Sequence, residues 1–199
     1  MIALWRPLFV LFAVLVAVGG PRHPRGSPVQ MLADPAWISS HLFVLLGFVA
    51  LLGGLIAFRG RGAGLPARTS RRAALAILGT TLQVIALALH AASSLDHGNL
   101  AAGRATPLLT AATWCAVVFS PLFAASLTGL IVAGVQDRTL GSVWTAWAGI
   151  LGALLYGVAP LLEAAHLIRP EQFAPALMGV ALWAIGSGLW HGGKAGGAG

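Results

Sequence analysis

Long apolar runs separated by short polar segments dominate the chain. Each run is close to the roughly 20 residues that an α-helix needs to cross a bilayer, and the runs lack the alternation that is typical of membrane β-strands. The pattern therefore predicts an all-α fold: a polytopic membrane helix bundle, with six transmembrane helices in a single domain over residues 1–199. The predicted spans are 4–20, 37–58, 73–94, 107–134, 143–166 and 173–190.

The segments around the first span and at the end of the chain differ in composition from the spans. The glycine-rich stretch 192–199 predicts a disordered tail. Residues 1–20 also resemble a signal peptide, with a basic Arg6, an apolar stretch and small residues at 17–19. The alternative that this segment is cleaved, which would leave five helices, therefore stays open. Four prolines predict an extended, irregular connection between the first two spans: Pro21, Pro24, Pro28 and Pro35.

The composition agrees with a location inside a membrane. Hydrophobic residues make up 58% of the chain and charged residues only 9%, which is too little polar surface to cover a water-soluble globule of this length. We therefore expect an integral protein of a bacterial cytoplasmic membrane, with the lipid bilayer as its first partner.

The distribution of basic residues predicts the orientation of the helices. The formal net charge is +7, and the densest basic cluster lies between the second and third spans. By the positive-inside rule the basic side is cytoplasmic, which predicts an N-in/C-in arrangement with both termini in the cytoplasm. No aromatic residues are interleaved with these charges, so we expect no nucleic-acid partner. Eight of the twelve basic residues lie on that side: Arg6, Arg59, Arg61, Arg68, Arg71, Arg72, Arg138 and Lys194.

Polar residues inside two of the spans recur at helical spacing. At about 100° per residue, those of the third span fall within one arc, and those of the fifth span form a second stripe. The ionisable members of both stripes lie toward the outer end of their helices. The third span contributes Thr80, Gln83, His90, Ser94 and His97, and the fifth contributes Thr145, Gly152, Tyr156, Glu163 and His166.

These positions predict an outward-facing metal site made of His41, His90, Glu163 and His166. Glu163 and His166 have the i, i+3 spacing of metal sites in helical bundles, while His41 and His90 should lie at the same depth on antiparallel helices. Three histidines and one carboxylate suit zinc, copper or iron. Asp96 or His97 is a candidate additional or supporting ligand. His23 and His191 are left outside this site.

The same residues permit a second cofactor. Haem b could be held between His41 and His90, giving a six-coordinate iron that transfers electrons. The sequence leaves open whether the cofactor is a metal ion or haem.

A redox or metal-handling component is the function that this cluster favours. One alternative is a small proton- or cation-coupled transporter or channel, in which the two polar stripes line a path and His90 and Glu163 relay protons or coordinate a cation. Another is a structural accessory subunit, acting with a membrane-protein partner or as a homo-oligomer. Enzymatic activity stays open, since a zinc-bound water with Glu163 or Asp96 as general base could hydrolyse a lipid.

Overall fold

The computed structural model describes residues 3–61, 64–168 and 174–190, and every regular element within these ranges is helical. Two 3₁₀ segments, Gly20–Arg22 and Ser93–Asp96, continue the first and fourth helices. The α-helices are α1 (Trp5–Gly19), α2 (Pro28–Ala33), α3 (Ala36–Arg59), α4 (Ala67–Ala92), α5 (His97–Ala101), α6 (Pro107–Gln136), α7 (Val143–Ala164) and α8 (Ala174–Leu189). The predicted tail, 192–199, lies outside the described residues.

The six long helices form a ring. Each packs against the next long helix along the chain, and α8 closes the ring by packing on α1. The C-terminal ends of α1 and α4 lie beside the N-terminal ends of α3 and α6. We call this end of the bundle the histidine end. We call the opposite end the arginine end. It holds the N-terminal ends of α1 and α4 and the C-terminal ends of α3 and α6.

Aromatic side chains fill the centre of the ring. Phe48 of α3, Phe123 of α6 and Tyr156 of α7 contact one another, with ring centroids 5.3, 5.9 and 6.0 Å apart. Phe12 of α1 packs edge-on against Phe48 at 5.5 Å. These contacts tie four of the six long helices to one buried layer.

The outer surface of the bundle is apolar. Five of the described helices are long and apolar enough to cross a bilayer, and α8 is a shorter apolar helix of 16 residues. Such an arrangement, with polar groups buried and apolar groups outside, is unusual for a soluble monomer and suggests an integral membrane protein. Each long helix exposes a large apolar side chain, as at Val14, Leu46, Leu78, Val118, Leu155 and Leu182.

Helix boundaries and connections differ in places from the sequence-based expectation. α4 starts at Ala67 rather than at residue 73, because a helix can continue beyond the apolar span through arginines, which are good helix formers. The connection after α1 is not wholly irregular, since it contains α2. There Pro28 occupies the first turn, where proline is tolerated, and the Ser27 and Gln30 side chains form a reciprocal capping box.

Candidate metal site in the central cavity

A cavity of about 400 Å³ lies inside the ring at the histidine end. All six long helices contribute to its lining, together with the connection between α1 and α3. Its volume lies in the range of small-molecule sites, about 300–1,000 Å³. The helical bundle therefore encloses a site rather than a fully packed core at this end.

The inner part of the cavity is lined by a buried hydrogen-bonded chain. Gln83 Nε2 donates to Tyr156 Oη at 2.7 Å, and Ser120 Oγ donates to Gln83 Oε1 at 3.1 Å. The chain joins α4, α6 and α7. The polar stripes of the third and fifth predicted spans thus meet at Gln83 and Tyr156.

Three histidines lie together near the mouth of the cavity. One ring nitrogen from each of His23, His41 and His90 lies within 4.8 Å of those of the other two. The ring centroids are 4.9 Å apart for His23 and His41, and 4.7 Å for His41 and His90. His41 is 5% exposed. We call this group the histidine cluster.

Trp37 positions the histidine cluster. Its ring centroid lies 4.2 Å from that of His41, 5.0 Å from that of His90 and 5.5 Å from that of His23. The indole Nε1 donates to the Ala91 carbonyl at 3.3 Å, which joins the start of α3 to the end of α4. One aromatic side chain therefore packs against all three imidazoles.

Hydrogen bonds select the tautomers of two of these histidines. His41 Nδ1 lies 2.6 Å from the Trp37 carbonyl oxygen, and His23 Nδ1 lies 2.8 Å from that of Pro24. Because a carbonyl oxygen only accepts, each Nδ1 carries the proton and donates. The lone pair of each ring is then on Nε2, as in metal-binding histidines whose other nitrogen bonds to a backbone carbonyl.

The histidine cluster shares part of the set expected from the sequence. It includes His41 and His90, and Glu163 is half-buried and lines the same cavity. His166 is exposed and does not line the cavity. The reason is local, since α7 ends at Ala164 and His166 has a left-handed φ of 58°, so the i, i+3 geometry with Glu163 is lost.

Sequence reasoning missed His23 because it lies in a connection. It directly follows the 3₁₀ turn Gly20–Arg22 that continues α1, and this turn packs against α3. The available signal was its position only four residues beyond an apolar helix. A connection this short keeps the His23 side chain at the same end of the bundle as His41.

Asp96 has a structural partner. Its side chain is buried, and Oδ2 accepts a hydrogen bond from the Leu109 backbone N–H at 2.9 Å. Leu109 is in the first turn of α6, where backbone N–H groups lack helical partners. Asp96 therefore caps α6 from the connection that follows α4.

The described residues define an apolar helical bundle that holds a histidine-lined cavity at one end. Comparison of the chain with protein-family models, with curated proteins and with solved structures gives no match. The geometry of the cavity is therefore the feature of the molecule that indicates a function.

Proposed function

We propose that this is an integral membrane protein in which His23, His41 and His90 bind a transition-metal ion, making it a metal-handling or redox component of the membrane. The observation that carries the proposal is the approach of three imidazole nitrogens to within 4.8 Å of one another. Three neutral imidazoles are a common ligand set for zinc, copper and iron.

Only small movements are needed to bind an ion. With Zn–N bonds of about 2.0–2.1 Å, tetrahedral geometry separates ligand nitrogens by roughly 3.3 Å. The separations between the three nitrogens therefore have to shorten by at most roughly 1.5 Å. The hydrogen bonds of His23 and His41 favour Nε2 as the ligand atom of both rings.

The cavity supplies the remaining coordination position. Three neutral ligands leave the positive charge of the ion uncompensated, which is costly in a largely apolar cavity. Glu163 lines the same cavity, outside the group of three imidazole nitrogens, so its carboxylate adds negative charge to the cavity that would hold the ion. An open position of this kind suits exchange of the ion or of a small ligand.

A metal ion fits this geometry better than haem does. The rings of His41 and His90 are in edge contact, with centroids 4.7 Å apart and planes at 65°. A six-coordinate haem would need its porphyrin plane between these two rings. The contact leaves no gap for that plane, so haem b would require the rings to separate.

Binding is also favoured over conduction. Phe48 lies seven residues further along α3 than His41, about 10 Å deeper at 1.5 Å per residue. Its contacts with Phe123 and Tyr156 form an aromatic layer below the cavity. A path for ions from the histidine cluster to the arginine end would have to pass this layer, which speaks against the transporter or channel alternative.

The proposal includes six spans with both termini in the cytoplasm. This orientation puts the arginine end, with Arg6, Arg61 and Arg138, on the cytoplasmic side, in agreement with the positive-inside rule. The histidine cluster then faces the outside, where extracytoplasmic metal ions can reach it. α8 completes the ring as the sixth span, although its 16 residues are fewer than the roughly 20 of a typical span.

Metal content is the test of this proposal. Protein purified in mild detergent without chelator, and also reloaded with zinc, copper or ferrous iron, should contain about one ion per chain. Substituting His41→Ala or His23→Ala should remove most of it, since two imidazoles bind far more weakly than three. Absence of haem absorbance would separate a bare ion from haem b.

His166→Ala is the matched control, because it removes an imidazole from the same end of the bundle but outside the cavity. It should keep full metal content, while size-exclusion chromatography verifies that all variants remain folded. Loss of metal in His166→Ala would instead support the ligand set expected from the sequence. No stoichiometric metal under any loading condition would refute metal binding and leave the accessory-subunit alternative.

A further inference from the structure

A second cavity, of about 330 Å³, lies at the arginine end. Its lining combines positive charge with aromatic rings and includes no carboxylate among the residues that the structure describes. The residues that matter here are Trp5, Arg6, Arg61, Arg138 and Trp190. We call it the arginine cavity.

Aromatic rings hold two of the guanidinium groups in place. Arg61 Cζ lies 4.4 Å from the ring centroid of Phe58 and 5.8 Å from that of Trp5. Arg6 Cζ lies 5.3 Å from the centroid of Trp5. Stacking on an aromatic face leaves the planar N–H donors of arginine directed outward from its edge, as in phosphate sites.

The gathered positive charges have no negative partner within the described parts of the chain. The Arg61 side chain is exposed, and its partial desolvation together with the nearby charge of Arg6 lowers its pKa below the usual value. Both causes reflect an environment that disfavours an isolated cation. A bound anion would relieve this cost, since guanidinium and phosphate form strong bidentate hydrogen bonds.

Two indole N–H groups give an independent indication of a ligand. Trp5 is 2% exposed, and its Nε1 is buried without a hydrogen-bond partner among the described residues. The Nε1 of Trp190 is likewise buried without a hydrogen-bond partner among the described residues. Buried donors are usually paired, and an indole nitrogen can only donate, so an acceptor bound in the cavity that both rings line would pair with these N–H groups.

Arg138 lines the arginine cavity from the end of α6. Its φ is 54°, in the left-handed region that few residues other than glycine adopt. The turn is held by the Gly134 carbonyl, which accepts from Thr139 N at 2.7 Å and Leu140 N at 3.1 Å. These bonds, together with the bond from Arg138 N to the Val135 carbonyl at 3.0 Å, form the Schellman motif that ends many helices, so the left-handed φ of Arg138 belongs to the end of α6.

We propose that the arginine cavity binds the phosphate group of an anionic ligand. Phosphate oxygens supply acceptors both for the guanidinium groups and for the unpaired indole N–H groups. The phosphate could belong to the headgroup of an anionic lipid or to a soluble molecule, because the recognised chemistry is the same in both cases. This site is separate from the histidine cluster, at the other end of the bundle.

The test uses the full-length protein in detergent after removal of lipid. Titration with inorganic phosphate should show saturable binding. Arg61→Gln, which removes a charge, and Trp5→Phe, which removes only the N–H while keeping an aromatic ring, should each weaken it about tenfold or more. Arg71→Gln is the matched control, because Arg71 is an exposed arginine at the same end that does not line the cavity.

Lipid bilayer nanodiscs separate the two sources of phosphate. Retention of phosphatidylglycerol over phosphatidylcholine in native mass spectrometry, reduced by Trp5→Phe, would assign a lipid headgroup. Binding of inorganic phosphate without such retention would assign a soluble ligand. The inference would be overturned if neither bound, or if Arg71→Gln weakened binding as much as Arg61→Gln, which would indicate general charge attraction.

Discussion

At the residue scale, the buried chain of Gln83, Ser120 and Tyr156 sets the shape of the inner part of the cavity. Tyr156→Phe removes the acceptor of Gln83 Nε2 and leaves a donor unpaired in a buried position. The expected cost is about 1–3 kcal/mol in the free energy of unfolding. Thermal unfolding of the detergent-solubilised protein should therefore show a lower midpoint temperature.

A double variant shows whether the hydrogen bond is responsible. In Gln83→Met/Tyr156→Phe both partners become apolar, and the Ser120 hydroxyl, which loses Gln83 Oε1 as its acceptor, can turn to a backbone carbonyl of the preceding turn of α6. Its midpoint should lie above that of Tyr156→Phe alone, because replacing both members of a buried pair costs less than removing one. A double variant less stable than the single one would mean that packing, not the unpaired amide, explains the loss.

At the element scale, α7 and α8 approach through glycine. A Cβ added at Gly152 would lie 2.5 Å from the Ala176 carbonyl oxygen and 2.7 Å from the Val180 nitrogen. These are backbone atoms of α8, which cannot move aside as a side-chain tip can. Gly152→Ala should therefore push α8 away and lower the stability by about 1–3 kcal/mol, measured as a lower unfolding midpoint.

Gly98→Ala is the control for this substitution. Gly98 lies in α5, and a Cβ there would meet no atom within 4 Å. Alanine favours a helix over glycine by about 1 kcal/mol, so this variant should be equally or more stable. Equal destabilisation by both substitutions would contradict the close contact between α7 and α8.

At the scale of the whole molecule, the proposed orientation puts the two ends of the bundle on opposite sides of the membrane. After Cys115→Ala removes the native thiol, Arg104→Cys reports on the histidine end and Arg68→Cys on the arginine end. Both arginines are exposed. In sealed right-side-out vesicles an impermeant maleimide should label Arg104→Cys, and should label Arg68→Cys only after detergent is added. The opposite labelling pattern would reverse the topology.

The sequence alone supplied the helical character of the chain and the apolar character of its long helices, because continuous apolar runs satisfy their backbone hydrogen bonds locally and need no distant partner. It also indicated that His41, His90 and Glu163 lie toward one end, since depth along a helix follows from residue number. It did not supply the end of α7 at Ala164, which depends on the local backbone rather than on apolar character.

Only the tertiary structure decided which side chains meet. His23 belongs to the histidine cluster because the connection after α1 places it beside His41. His166 lies outside the cavity because α7 ends before it, at Ala164. The arginine cavity likewise combines residues from both ends of the chain, as Trp5 and Trp190 show. Periodicity fixes positions along and around a single helix, whereas a site depends on the arrangement of several helices, which the packing of their side chains determines.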